Sequence, residues 1–205
     1  WDRLKGFKEL MDAFIKMKLD NRKNGDPESL DYKRIEMTLL VMGGPDPAFV
    51  SDDPEGQEVL QELTEAYKKV DKSMQNDIAI LLLPLDNPKE NALIVNALQR
   101  TSSIIVQNSI QEGFGLTATE AMWKRKPVLV SGAAGLKFQV VHNKTGQINE
   151  DPTDIDKLAK TMEYMLNHPK QRDRWGFNGQ LRVIQNFTLF SQLIAWLEVL
   201  AANKA

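Results

Sequence analysis

Glu112, Gly113, Phe114, Gly115, Thr117 and Glu120 fall in one short segment, NSIQEGFGLTATEAMW, directly after the apolar run at 104–107. Gly113 and Gly115 let a backbone come close to a ligand, and Thr117 is placed to cap the helix that follows. The N–H groups of Leu116, Thr117 and Ala118 then point outward at a helix N-terminus, which attracts phosphate by geometry and by dipole. A diphosphate suits such a place. Glu112 and Glu120 cannot both serve it, because a carboxylate only accepts hydrogen bonds and repels phosphate. Each is therefore read as taking hydroxyls on opposite sides of the phosphates, a sugar on one and a ribose on the other. A lone Gly-x-Gly is weak evidence; the combined spacing of Glu, Gly, aromatic, Gly, Thr and Glu carries the reading.

The elements that must hold these residues can be read from periodicity. Phe7, Leu10, Met11, Phe14 and Ile15 recur at helical spacing until Asn24-Gly25-Asp26-Pro27, and the charged stretch at 20–31 reads as a surface excursion. A strand is expected at 37–42, stopped by Gly43-Gly44-Pro45, then a polar loop FVSDDPEGQE and a helix with Val59, Leu63, Ala66, Tyr67 and Val70 inward. Further strands are expected at 78–83, 104–107 and 128–130, with helices at 90–100 and from the glycines to Arg125. Strands alternating with helices, over connections too long for hairpins, give an α/β fold: a doubly wound, Rossmann-like parallel sheet. Past Asp154 only helices are expected, at 155–166, 172–187 and 189–202. We divide the chain into a ligand-binding domain at 1–187 and a C-terminal helical tail at 188–205. In such sheets ligands settle beyond the carboxyl ends of the strands, which is where the glycine segment lies.

Composition narrows the field. The charges balance, 26 Lys plus Arg against 28 Asp plus Glu, so no long-range field points to nucleic acid or to a membrane surface. The chain has no cysteine, which removes disulfides and thiolate chemistry and fits a cytoplasmic address. No apolar run approaches the roughly 20 residues that span a bilayer. The opening WDRLKGFKEL carries neither an initiator Met nor a signal-peptide pattern, so residues are expected upstream. No metal-ligand cluster or cofactor motif is evident. His142 reads as a turn residue and His168 as a helix-end residue, Trp123 as core packing ahead of a shield beside a ligand, and Lys124-Arg125-Lys126 as a helix C-terminus. Ala133-Ala134-Gly135, after the last expected strand, could also approach a ligand.

The stretch EGFGLTATEAMWKRKP resembles the signature of the retaining glycosyltransferases of the two-Rossmann-domain, GT-B type, EGFGLxxxEAMA-x-G-xP. It departs only in Trp123 for a small residue and Arg125 for a glycine. The resemblance covers nearly the whole chain and includes Lys5-Gly6, the Gly-Gly after the first expected strand, and HNKTG at 142–146. Within the family, NALQR, the EGFGLTxTEAMWK core and GLKFQVV look most like trehalose synthases that use a nucleoside diphosphate glucose, and like trehalose phosphorylases.

The resemblance implies a donor-binding C-terminal domain. It assigns Glu112 to a hydroxyl of the transferred sugar, the backbones of Gly113, Phe114 and Gly115 to sugar and phosphate, Leu116 and Thr117 to the phosphates, and Glu120 to the ribose. Lys5 matches the family's phosphate-binding lysine; the arginine that accompanies it would precede Trp1, and Arg3 has the wrong spacing to replace it. Implied partners are a nucleoside diphosphate sugar, a sugar acceptor and an N-terminal domain absent from this chain, without which transfer is not expected. Two alternatives stay open: a phosphorylase using glucose 1-phosphate, and a binding module without turnover. The apolar side of the last helix, around Trp196, is expected to pack towards that missing domain or to support a homodimer.

Overall fold

The computed structural model describes residues 1–50 and 52–202. A single 3-10 turn, Arg3–Lys5, opens the chain. There follow α1 (Phe7–Asn24), α2 (Leu30–Glu36), β1 (Leu40–Pro45), α3 (Pro54–Lys68), α4 (Lys72–Gln75), β2 (Ile78–Leu83), α5 (Pro88–Thr101) and β3 (Ile105–Gln107). The second half runs α6 (Leu116–Trp123), β4 (Val128–Ser131), α7 (Ala134–Gln139), β5 (Gly146–Asn149), α8 (Ile155–Asn167), α9 (Pro169–Asn186) and α10 (Leu189–Ala202). Every strand pair is parallel, as an alternating α/β chain requires. The hydrogen-bonded ladders form two groups, β1–β2 and β3–β4–β5, where one continuous sheet was expected.

β4 shows how helices cover both faces. Its residues are all buried, and they alternate: Leu129 joins the core made with Met11, Phe14 and Met17 of α1 and Leu158, Met162 and Met165 of α8. Val128 and Val130 join Ala118, Ala121 and Met122 of α6 and Val183 of α9. A period of two puts successive side chains on opposite faces, so the sheet is wound on both sides. Small side chains at Ala118 and Ala121 let α6 lie close to β4. On α9, Gly179 sits where a Cβ would be 3.1 Å from Met122.

Several boundaries differ from the sequence expectation. β1 begins at Leu40 because Met37 and Thr38 are used to close α2: Met37 N–H reaches Lys33 O, and the Thr38 hydroxyl donates to Arg34 O at 2.8 Å. It also continues through Gly43-Gly44-Pro45, paired to Leu81, Leu82 and Leu83, so these residues do not stop the strand. Gly44 is needed there because the Trp1 indole lies on it; a Cβ would sit 2.9 Å from the ring. The stretch 20–31 is no loop throughout, since α1 runs to Asn24 and Ser29 caps α2 through Tyr32 N–H. The expected polar loop at 49–58, whose Ser51 lies outside the described residues, is half helix: Asp53 caps α3 at Gly56 N–H. α9 starts at Pro169 rather than Arg172. β5 was not expected at all; GQIN has one apolar side chain, and the strand is held by its ladder to β4. Residues 203–205 of the expected tail lie outside the described residues.

Arg125 stands where the resembled signature has glycine, and its φ is +60°. The left-handed conformation explains the glycine preference. Here the guanidinium stacks over Phe177, 5.1 Å from the ring centre. Among the described residues no single helix is long and apolar enough to cross a membrane.

Candidate functional site

The site forms where the opening of the chain meets the loop after β3. Asp2 caps the 3-10 turn through Leu4 N–H, and Leu4 O then accepts from Ile110 N–H at 2.7 Å. Gly6 turns the chain with φ +64° and is pressed onto Asn108, whose carbonyl would be 2.2 Å from any Cβ at that position. That corner delivers Lys5. Its ammonium meets the Glu112 carboxylate, Nζ to Oε2, at 2.8 Å. Arg3 points elsewhere, to Glu58 and Glu62 of α3, so it does not join Lys5.

Glu112 is the more enclosed partner, its side chain 13 % exposed against 39 % for Lys5. Oε2 also accepts from Gln107 Nε2 at 2.8 Å and from Ser109 Oγ at 3.3 Å. Burial pushes this carboxyl up, but the Lys5 ammonium, with Ser109 and Gln107, outweighs it and holds the group below the usual carboxylate range. Three donors converge on Oε2, and among the described residues Oε1 receives none.

The loop 112–115 is braced from two sides. Gly135 N–H donates to Glu112 O at 3.2 Å, and a Cβ on Gly135 would fall 2.4 Å from Gly113 O. Gly135 thus serves close packing under the loop. Gln139, fully buried, donates to Phe114 O and accepts from the Thr119 hydroxyl. The Phe114 ring stands edge-on to Phe187, centroids 5.9 Å apart. The two glycines then differ sharply. Gly115 has φ +89° and Leu136 against it, whereas a Cβ on Gly113 would meet nothing within 4 Å. Gly115 shapes the turn, and Gly113 leaves open space in front of it.

α6 begins at Leu116 with Gly115 as its N-cap and no side-chain cap. Thr117 therefore lies inside the first turn and is not the cap, because the left-handed Gly115 starts the helix earlier. Nor are all three first amides outward: Ala118 N–H is taken by Gln107 Oε1 at 3.2 Å and by Gly115 O. Leu116 and Thr117 N–H have no partner among the described residues. α2, α3, α5 and α8 are each capped by their own Ser29, Asp53, Asn87 and Asp154, whereas α1, α7 and α9, like α6, have no side-chain cap of their own.

Glu120 is exposed on the next turn of α6 and contacts Gln99 of α5 at 3.5 Å. It shares no partner with Glu112, so the two carboxylates serve separate surroundings. Glu120 also borders a groove of about 310 Å³ with Leu116, Trp123, Lys124 and Phe187. Trp123, expected in the core, is 50 % exposed there, because the inner face of α6 is already filled by Ala118, Ala121 and Met122. His142 and His168 stay with local partners, Ile148 N–H and Tyr164 O. Among the described residues no group of three His, Asp or Glu could hold a metal ion. Sequence reasoning missed Gln107, Ser109 and Gln139; the available signal was polar side chains at the end of β3 and on α7, where apolar ones would bury more cheaply.

The family model for glycosyl transferases group 1 matches residues 2–182. Trehalose synthase of Thermococcus litoralis is 34% identical over 204 residues, 98% of this chain and 42% of the relative. That of Pyrococcus horikoshii is 37% identical over 179 residues, 82% of this chain and 38% of the relative. Trehalose phosphorylase of Pleurotus pulmonarius is 27% identical over 165 residues, 78% of this chain and 20% of the relative. The chain thus spans less than half the length of these relatives. Among solved structures, Anabaena Alr3699/HepE in complex with UDP and glucose superposes with a TM-score of 0.69 at 19% identity, covering 98% of this chain and 46% of that one. Sucrose-phosphate synthase from Thermosynechococcus elongatus gives 0.68 at 22% identity, 100% and 44%; both likenesses concern the fold. With the motif at 112–127, the parallel α/β fold and the match over 2–182 in agreement, this chain belongs to the group 1 glycosyl transferases of GT-B fold.

Proposed function

We propose that this chain is the donor-binding half of a retaining glycosyltransferase that moves glucose from a nucleoside diphosphate to a sugar acceptor, with trehalose as product. The observation that carries the reading is the Lys5–Glu112 pair, joined through Gln107 to the first turn of α6, whose Leu116 and Thr117 amides are open. As the glycosyl bond breaks, negative charge gathers on the departing diphosphate while the sugar becomes oxocarbenium-like. The Lys5 ammonium and the Leu116 and Thr117 amides face that charge, and such preorganised donors lower the barrier without a metal. Glu112 takes a hydroxyl of the sugar, Gly113 gives it room, the backbones of Phe114 and Gly115 lie along the sugar and phosphate, and Glu120 takes the ribose. The trehalose synthase relatives support the sugar and product, and the UDP of the Anabaena neighbour supports the diphosphate. The acceptor site belongs to an N-terminal domain beyond this chain, so residues 1–205 bind donor without transferring it. The tail after residue 187 is the part we assign to contact with that domain.

A trehalose phosphorylase is the second reading, favoured by the Pleurotus similarity. Titration calorimetry of the chain with UDP-, ADP- and GDP-glucose, the matching nucleoside diphosphates, glucose 1-phosphate and inorganic phosphate separates the two. Micromolar binding that requires the nucleotide is expected. Binding of glucose 1-phosphate with no response to any nucleotide would move the assignment to the phosphorylase, and silence towards the whole panel would remove the donor site altogether.

A further inference from the structure

We propose that Gln107 is a positioning residue that locks the sugar-facing carboxylate of Glu112 to the start of α6, and so couples the sugar and phosphate ends of the donor site. Gln107 is the last residue of β3, and its half-buried side-chain amide spans the loop. Nε2 donates to Glu112 Oε2 at 2.8 Å, while Oε1 accepts Ala118 N–H at 3.2 Å. The amide cannot be reversed: a carboxylate needs a donor and a backbone N–H needs an acceptor. Gly115 lies directly against it, since a Cβ there would be 3.3 Å from Nε2. One rigid planar group thus fixes the distance between the carboxylate and the helix whose first two amides remain unpartnered.

The consequence follows from which oxygen is occupied. Lys5, Gln107 and Ser109 all bond Oε2. Resting on the donor-site reading above, a diphosphate draws Lys5 away from Glu112. Gln107, with Ser109, then retains Oε2, and Oε1 stays aimed at the sugar hydroxyl. Without Gln107 the carboxylate is free to follow the lysine or to swing to solvent, and the sugar loses its anchor although the phosphates keep theirs. The helix-capping work of Gln107 and its hold on Glu112 are separable, because a glutamate at 107 keeps the acceptor and loses the donor.

The test measures the affinity of the chain for UDP-glucose and ADP-glucose against UDP and ADP, in the unaltered protein and in Gln107→Leu and Gln107→Glu. The tighter binding of the sugar nucleotide over its nucleoside diphosphate is the readout, since general loosening of the loop lowers both alike. Loss of one hydrogen bond to a charged group predicts that this advantage falls about tenfold in both variants. Binding of the nucleoside diphosphate itself stays within about threefold in Gln107→Leu. Variants that keep the full advantage, or that lose both ligands in equal proportion, overturn the inference while leaving the donor site standing. If the unaltered chain binds none of the four ligands, the donor-site reading fails, and this inference with it.

Discussion

Lys5 and Glu112, 107 residues apart along the chain, meet at 2.8 Å. The first lies in the 3-10 turn before α1, the second in the loop after β3, so the pair ties the opening of the chain to the carboxyl end of β3. Because Lys5 is partly exposed, its contribution is that of a screened pair, about 1 kcal/mol or less. The Glu112 carboxyl sits below its unfolded value near 4.3. A depressed carboxyl stabilises the fold above its unfolded value, and that stabilisation is lost as pH falls through the folded one. Lys5→Met is therefore expected to lower unfolding free energy at pH 7 and to make little difference at about pH 3. Denaturant titrations of both proteins at the two pH values check this; an undiminished gap in acid would contradict it.

Lys18 offers a stability test away from the site. Its side chain is fully buried in α1, with Nζ on Glu36 O at 2.6 Å and on Asp77 at 2.9 Å. Lys18→Met leaves Asp77 unpaired in a largely covered position and should cost about 3 kcal/mol. The double change Lys18→Met with Asp77→Leu should cost less than the single one, because no orphaned charge remains. Urea midpoints of the three proteins decide the order.

The two glycines of the motif should fail in different ways. Gly115→Ala combines the left-handed strain with the Leu136 contact at 2.4 Å, and a loss of about 2–3 kcal/mol is expected. Gly113→Ala meets nothing within 4 Å and should change stability by no more than about 0.5 kcal/mol. Its methyl group fills the space assigned to the sugar, so affinity for a nucleoside diphosphate glucose should fall at least about tenfold. Paired melting and titration experiments on both variants are sufficient, and normal binding by Gly113→Ala would count against that assignment.

α10 presents Leu193, Trp196, Leu197 and Leu200 at 54–61 % exposure. A patch of this kind on an isolated chain promotes self-association. Sedimentation velocity should show dimers or larger species for the chain, and a monomer for Leu193→Glu with Trp196→Glu at unchanged melting temperature. A monomeric unaltered chain at high concentration would argue that the face is not sticky.

Much of this was legible in the sequence, for identifiable reasons. The helix from Phe7, the apolar runs of β2 and β4 and the motif at 112–127 all express their structure within a few neighbouring residues, through period or through glycine. β5 was not legible, because a strand with one apolar residue is specified by the ladder it joins. α2 was not anticipated, since its charged surface hides a single buried Ile35, and its Ser29 cap was the clue. Within the site, Lys5 and Glu112 could be nominated singly from resemblance, but Gln107 could not. Its role exists only once β3 places it between a carboxylate and a helix that begin in different parts of the loop.

The two open amides at the start of α6 have a last consequence. Where Ser29 or Asp154 caps its own helix, α6 is held at its start only by Gln107 on Ala118 N–H, with the Leu116 and Thr117 amides open. On the proposed donor site, an anion on Leu116 and Thr117 would complete the turn from outside. Binding of that anion would then damp fraying of the first turn. Amide exchange in α6 should slow in step with occupancy, with the heat resistance of the chain rising as the logarithm of ligand concentration.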